Sequence, residues 1–333
     1  MTDKKRKINI MAKKKKVERI LVTGGAGFIG SNIVEELVKR KNIKVRIIDD
    51  FSAGKMSHIK DFKDQIEIIR GDIRNAKTVR KAMLGVTRVI HQAAIRSVPK
   101  SVDNPFLSHE VNTTGTLILL NEAVRAKVKR FVYASSSSAY GDTAKFPQKE
   151  TDLLKPLSPY GVSKLCAEHY CHSFHAVHGL ETVALRYFNV YGPRQNPESK
   201  YSAVVPIFIY NLKKGVAPKI DGSGKQSRDF TYVKDVANAN IKAAFASSKV
   251  AGKSFNIAGG GDCSVIGILH YIEKYLGIKI KPEFGPRRRG DAMRTYADIS
   301  QPKKIMGWQP KMKLAEGLKR TVEWFEKNDP TLL

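Results

Sequence analysis

Short apolar runs alternate along the first 190 residues with longer stretches in which apolar side chains recur every three or four positions. The runs at 20–22, 45–48, 66–69, 89–90, 131–134 and 182–185 read as strands, and the stretches at 76–84, 115–126 and 160–178 as helices. After the first strand, Ile33, Val34, Leu37 and Val38 fall on one face of a further helix. Strands that alternate with helices need right-handed crossovers, so the pattern predicts a doubly wound α/β fold, its parallel sheet covered on both faces. Beyond about residue 187 the alternation fails, and turn-rich segments such as 191–194 and 221–224 separate short elements. The stretch 228–258 reads as a helix and a strand returning to the main sheet. The expected division is a basic disordered tail over 1–17, a sheet domain over 18–186 plus 227–260, and a smaller lobe over 187–226 plus 261–333.

Composition narrows the class. With 42% hydrophobic and 27% charged residues, the chain is neither collagen, coiled coil nor disordered polymer. The longest apolar stretch, 203–210, is broken by Pro206 and falls well short of the roughly 18 residues of a spanning helix. The N-terminus lacks the apolar core of a secretory signal, and Cys166, Cys171 and Cys263 show no metal or redox spacing, so a reducing cytoplasm is the expected location and no metal is expected. The 59 Lys and Arg against 31 Asp and Glu give a net charge of +28. Eight of those cations precede residue 17 against one acid, Asp3, and Met11 leaves a later start open. No zinc finger, RNP-type strand or helix-turn-helix pattern accompanies the charge, so nucleic acid is not the expected partner. A solvated basic surface, with some cations reserved for an anionic substrate, is.

Two patterns carry chemistry. Gly24, Gly27 and Gly30 form GxxGxxG between a strand and a helix, where bare backbone lets a pyrophosphate approach the helix N-terminus. Asp49 lies 19 residues past Gly30, at the end of the next strand. A carboxylate there accepts the hydroxyls of an adenosine ribose and repels a 2′-phosphate, which favours NAD over NADP in a Rossmann-type domain. The second pattern is Tyr160-Gly161-Val162-Ser163-Lys164, a Tyr and a Lys at i and i+4 on one helix face, with Pro159 at the helix start. An ammonium beside a phenol favours the phenolate, which can take a hydroxyl proton. The serine run 135–138 ends a strand, where open α/β sheets place their ligands.

Together with Ser-Pro-Tyr-Gly-Val-Ser-Lys at 158–164, Ser-Ser-Ser-Ala-Tyr-Gly at 136–141 and Leu-Arg-Tyr-Phe-Asn at 185–189, these motifs resemble the extended short-chain dehydrogenase/reductase family, most nearly its UDP-hexose 4-epimerases. The resemblance spans about residues 18–328 and implies tightly held NAD, a C-terminal lobe for the UDP-sugar, and a homodimer formed by two helices from each subunit. It also implies that Tyr160 is the base, that Lys164 holds the nicotinamide ribose, and that Ser136 bridges to the sugar 4-hydroxyl. Phe28, Ile29, Asp49, Asp72, Ile73, Ala93, Ala94, Asn112 and Tyr187 would complete the cofactor shell, and Ser137, Asn189, Arg228, Arg288, Asp291 and Thr295 the substrate shell. From the residues alone, Asp72 reads equally as a helix cap, Phe28 and Ile29 as packing, and 287–289 as a solvated charge run.

Dehydratases and decarboxylases of this family carry an acid two to three residues before the Tyr-Gly that matches Tyr140-Gly141; here Ser137 and Ser138 stand there. Without that acid, epimerisation is expected rather than water loss. Plain-hexose enzymes tend to carry Tyr where this chain has Thr295. The smaller side chain favours UDP-N-acetylglucosamine and UDP-N-acetylgalactosamine, with UDP-glucose and UDP-galactose as a second pair. A UDP-uronate 4-epimerase is the enzymatic alternative, and a non-catalytic NAD sensor that binds nucleic acid is the alternative from another class.

Overall fold

A computed structural model describes residues 17–143, 145–197, 203–287 and 292–328. Residues 1–16 of the basic tail and two expected substrate residues, Arg288 and Asp291, lie outside the described residues. The strands are β1 (Glu18–Thr23), β2 (Ile43–Asp49), β3 (Ile66–Arg70), β4 (Arg88–His91), β5 (Arg130–Ser136), β6 (Glu181–Tyr187), β7 (Val190–Tyr191), β8 (Lys219–Asp221), β9 (Ser227–Asp229), β10 (Thr231–Tyr232), β11 (Lys253–Ile257), β12 (Asp262–Ser264), β13 (Glu283–Gly285) and β14 (Arg294–Thr295). Seven of them form one sheet in the order β11-β6-β5-β4-β1-β2-β3. Every pairing in it is parallel. Ile20, Leu21 and Val22 have no exposed surface, as a strand covered on both faces requires.

The helices are α1 (Phe28–Val38), α2 (Ala76–Ala82), α3 (Val98–Asp103), α4 (Pro105–His109), α5 (Gly115–Arg125), α6 (Pro159–His178), α7 (Val204–Lys213), α8 (Val233–Phe245), α9 (Val265–Leu276) and α10 (Leu314–Lys327). On one face of the sheet Ile33, Val34 and Leu37 of α1 join Val236 and Ala237 of α8 in one core. On the other, Val79 of α2, Leu119 and Leu120 of α5, and Ala167 and Cys171 of α6 form a second. A third core, from α7, α9 and α10, centres on Phe208, Ile268, Leu269, Leu318 and Phe325. The strand order reverses between β1, followed by α1, and β4, followed by α3. That is the switch point above which doubly wound sheets open a ligand crevice.

The structure departs from the sequence pattern in two places. Helix α2 stops at Ala82 and leaves Leu84 exposed, and two short helices, α3 and α4, follow β4 where no helix is expected. At 6 and 5 residues they are too short to display a helical period. Caps hold them instead: Ser97 accepts from the Lys100 amide, Asn104 accepts from the Leu107 amide, and each has a proline in its first turn.

Candidate active site

At Gly24 and Gly30 the β1–α1 turn has no room for a β-carbon. Gly24 has φ +63°, and a β-carbon on it would stand 2.8 Å from the Ala93 nitrogen. One on Gly30 would stand 2.0 Å from the Gly24 carbonyl oxygen. Gly27 is the N-cap of α1, and with no side chain to cap it and no acid in the first turn the helix N-terminus presents bare amides, the feature that binds a pyrophosphate. Asp49 ends β2 beside this turn. Its carboxylate accepts from the amides of Ala26 at 2.8 Å and Phe51 at 2.9 Å, and each oxygen retains capacity for a ribose hydroxyl. Burial pushes its pKa up, against the two amides that lower it. This cradle fits a dinucleotide.

Around it the other expected cofactor residues divide. Phe28 opens α1 and is buried, Ile29 packs against the first core, and Ile73 is buried in the second. The Ala93 amide donates to the Thr23 hydroxyl at 3.1 Å, which holds Ala93 and Ala94 at the end of β4. Asp72 pairs with Arg74, which also reaches Glu110, and this partner holds the Asp72 carboxyl below the usual range. Tyr187 donates to Asn240 at 2.9 Å and accepts from Gln92 at 3.1 Å. The amide of Asn112 is likewise committed. It accepts from the Ile95 amide at 2.8 Å and donates to the Ile95 carbonyl and the Ser163 hydroxyl, both at 3.0 Å, and so clamps the segment after β4 to α6.

Tyr160, Lys164 and Ser136 come together. Ser158 caps α6 by accepting from the Gly161 amide at 3.1 Å, with Pro159 as the first helical residue, and the i, i+4 spacing then aligns Tyr160 with Lys164. The Tyr160 phenol lies within the influence of the side chain of Ser136, the last residue of β5, whose hydroxyl accepts from the Ser138 amide at 3.1 Å. Burial raises the Tyr160 pKa, and the Ser136 side chain and the charge of Arg96 oppose that rise. Lys164 is 3% exposed, with Nζ 4.5 Å from the centre of the Tyr133 ring, and burial lowers its pKa to about 7. The arrangement can accept a proton from a hydroxyl and return it.

Arg96 escapes a reading of the sequence. It follows the Ile95 clamp, keeps part of its side chain in solvent while burial of the charged group lowers its pKa, and acts on Tyr160 through its charge. Ser97, next in the chain, has φ +129°, a conformation rare outside glycine, and the Ser101 hydroxyl of α3 accepts from the Tyr160 amide at 3.0 Å. The segment bearing Arg96 is thus tied to α6 on both sides. Its only sequence signal is adjacency to Ala93-Ala94.

On the substrate side, Ser137 starts a short turn after β5 and is half-buried. Asn189, with φ +24°, donates to the Thr295 hydroxyl at 2.9 Å and to the Asp229 carbonyl at 3.2 Å. Thr295 on β14 lies in register with Arg228 on β9, so these three expected residues share one site. Arg228 is buried and donates to the Ser227 carbonyl at 2.8 Å. Beside it, burial pushes the Asp229 carboxyl up to about 7, though it accepts from the Gly259 amide at 2.7 Å. Among the described residues no group of three or more His, Cys, Asp or Glu could hold a metal, and no helix is long and apolar enough to cross a membrane.

Comparison with known proteins gives the family. Residues 20–258 match the model of the NAD dependent epimerase/dehydratase family. A putative UDP-glucose 4-epimerase of Methanocaldococcus jannaschii is 38% identical over 314 residues, which cover 94% of this chain and 100% of that protein. A UDP-N-acetylglucosamine 4-epimerase from Methanobrevibacter ruminantium M1, solved with UDP-N-acetylmuramic acid, is 38% identical with a TM-score of 0.88, covering 94% of this chain and 99% of that one. The UDP-glucuronic acid 4-epimerase of Bacillus cereus, solved with UDP-glucuronic acid and NAD, is 32% identical with a TM-score of 0.87, covering 93% and 99%. The chain belongs to the NAD-dependent epimerase/dehydratase family of extended short-chain dehydrogenase/reductases, with NAD as its cofactor and UDP-sugar 4-epimerases among its relatives.

Proposed function

We propose that the protein is a UDP-sugar 4-epimerase that interconverts UDP-N-acetylglucosamine and UDP-N-acetylgalactosamine, with UDP-glucose and UDP-galactose as a second pair. The observation that carries the reaction class is Tyr160 on α6, one helical turn from buried Lys164 and under the influence of Ser136, with Ser137 and Ser138 following Ser136 where dehydration would need an acid. Thr295 supports the sugar, since its short side chain leaves volume that a tyrosine would fill. On this reading the sheet domain over 18–186 plus 227–260 binds NAD and the rest of the described chain binds the UDP-sugar.

Tyr160 takes the proton of the sugar 4-hydroxyl, relayed or steadied by the Ser136 hydroxyl, and becomes the neutral phenol. The glycine turn and Asp49 would hold NAD, which would supply a reversible hydride acceptor for that carbon, so no net redox change would occur. Arg228 holds the diphosphate by charge-assisted hydrogen bonds while the 4-keto sugar turns over. Tyr160 then returns its proton to the oxygen, with the centre inverted. Lys164 in its ammonium form stabilises the phenolate and binds the nicotinamide ribose.

One observation favours a second reading. The guanidinium of Arg96 near Tyr160, partly desolvated, would complement a carboxylate at C5, as on a UDP-uronate. Incubation with UDP-N-acetylglucosamine, UDP-glucose and UDP-glucuronate in turn, with no NAD added and products resolved by chromatography, separates the readings. Preferred conversion of the acetamido sugar is expected. Preferred conversion of the uronate would replace that substrate, and conversion of none by protein that holds NAD would overturn the epimerase.

We also assign a homodimer through the α3, α4 and α6 face. Val102, Phe106 and Val162 are exposed there, and a groove of about 490 Å³ between Pro105, His109, Leu157 and Val162 continues it.

A further inference from the structure

The mechanism leaves one buried charged cluster unused. Glu168 stands one helical turn beyond Lys164 and two beyond Tyr160, and has no exposed surface. Its carboxylate accepts from the Ser135 hydroxyl at 2.5 Å, the Ser254 hydroxyl at 2.6 Å, and Arg186 Nη2 at 2.6 Å and Nε at 3.2 Å. These donors come from β5, β11 and β6, so one side chain of α6 is bonded to three adjacent strands. Arg186, also buried, donates in turn to the Tyr140 hydroxyl at 2.9 Å and the Glu150 carbonyl at 3.2 Å. Tyr140 donates to Asn256 at 2.6 Å.

We infer that the Glu168–Arg186 pair is a positioning device for the reacting residues: it grips the segment 135–140 at both ends, and so holds the Ser136 hydroxyl against that of Tyr160. Ser135 is the grip at one end and Tyr140 the grip at the other, and Ser136 and Ser137 lie between them. Stability alone does not account for the pair. A buried ion pair is commonly no more stabilising than apolar side chains of the same volume, because desolvating both charges offsets their attraction. What the pair adds is direction, since four hydrogen bonds to one carboxylate admit a single register of α6 on the sheet.

The bland alternative is that the cluster merely pins α6 to the sheet, and two hydroxyls on the same carboxylate separate the possibilities. Ser135 adjoins Ser136, whereas Ser254 lies on β11, two strands away from β5. The inference rests on the reading of Tyr160 as the base, so one readout needs no sugar: the ionisation of Tyr160, followed as tyrosinate absorbance by difference from matched Tyr160→Phe proteins. The groups that face Tyr160 are Arg96, Ser136 and Tyr133. Those that face Glu168 are Arg186, Lys164, Cys171, His172 and Tyr133.

With Ser135→Ala, kcat is expected to fall about tenfold, less than the roughly hundredfold that a 1 Å misplacement costs, with KM and bound NAD unchanged and the Tyr160 midpoint moved upward as Ser136 shifts away from it. Ser254→Ala should keep kcat and the midpoint at parental values. Parental kcat and midpoint in Ser135→Ala, or equal changes in both variants, would overturn the inference. A parent protein that turns over no UDP-sugar would count against the proposed function instead, and the Tyr160 midpoints would still decide the positioning role.

Discussion

Three influences meet at the Tyr160 oxygen: burial that disfavours the phenolate, and the Ser136 side chain and Arg96 charge that favour it. Replacing it by phenylalanine removes the proton acceptor and leaves the glycine turn untouched. Turnover of Tyr160→Phe should fall by at least about a hundredfold while NAD remains with the purified protein, and turnover near the parental rate would refute the base. Lys164 gives a pH signature. Its folded pKa of about 7 lies below the unfolded value of 10.5, so between these pH values the unfolded chain binds more protons and stability rises with pH. Protein freed of NAD should therefore gain from Lys164→Met most below pH 7, with the gain gone near pH 10.5; thermal melts across that range check the sign. Thr295→Tyr should lower kcat/KM for the acetamido sugar by roughly tenfold more than for UDP-glucose, the size of an overpacking penalty. An equal loss on both sugars, from the broken Asn189 bond alone, would sink the argument from volume.

Among the elements, the β1–α1 turn is the one most completely specified by its residues. A β-carbon at position 30 meets the Gly24 carbonyl at 2.0 Å, and backbone cannot yield as a side-chain tip does. Gly30→Ala should cost about 1–3 kcal/mol in denaturant unfolding and release NAD, and a variant that retained both would contradict the close approach. Glycines, an apolar run and an acid at the next strand end are local features, which is why the turn is legible in one sequence. Helices α3 and α4 are not, because 6 and 5 residues with a proline apiece carry no period. Asn112 is legible as a site residue through the family resemblance, yet its side chain turns out to act on the Ile95 backbone, 17 residues away. The i+8 step from Tyr160 to Glu168 is written in the sequence, but nothing on the helix itself indicates Ser135, Arg186 or Ser254 as its partners.

For the whole molecule, the exposed apolar face of α3, α4 and α6 is where association is expected. Phe106 is 79% exposed, so Phe106→Asp removes no core contact and should convert a dimer mass to a monomer mass in light scattering with the melting temperature of the monomer little changed. A parental mass that persisted would place the interface elsewhere. The sequence by itself determined the parallel sheet, the covering of both its faces, the preference for NAD and the Tyr–Lys pair, because each is written in spacing within a few dozen residues of chain. Only the tertiary structure decided that Ser136 meets Tyr160, that Arg96 stands near them, that Asn189, Arg228 and Thr295 form one site, and that Glu168 joins three strands. Those contacts join residues that are distant in the chain. Their formation depends on strand order and helix register, and a buried polar group takes whichever donor that packing brings within reach, so no local pattern records them.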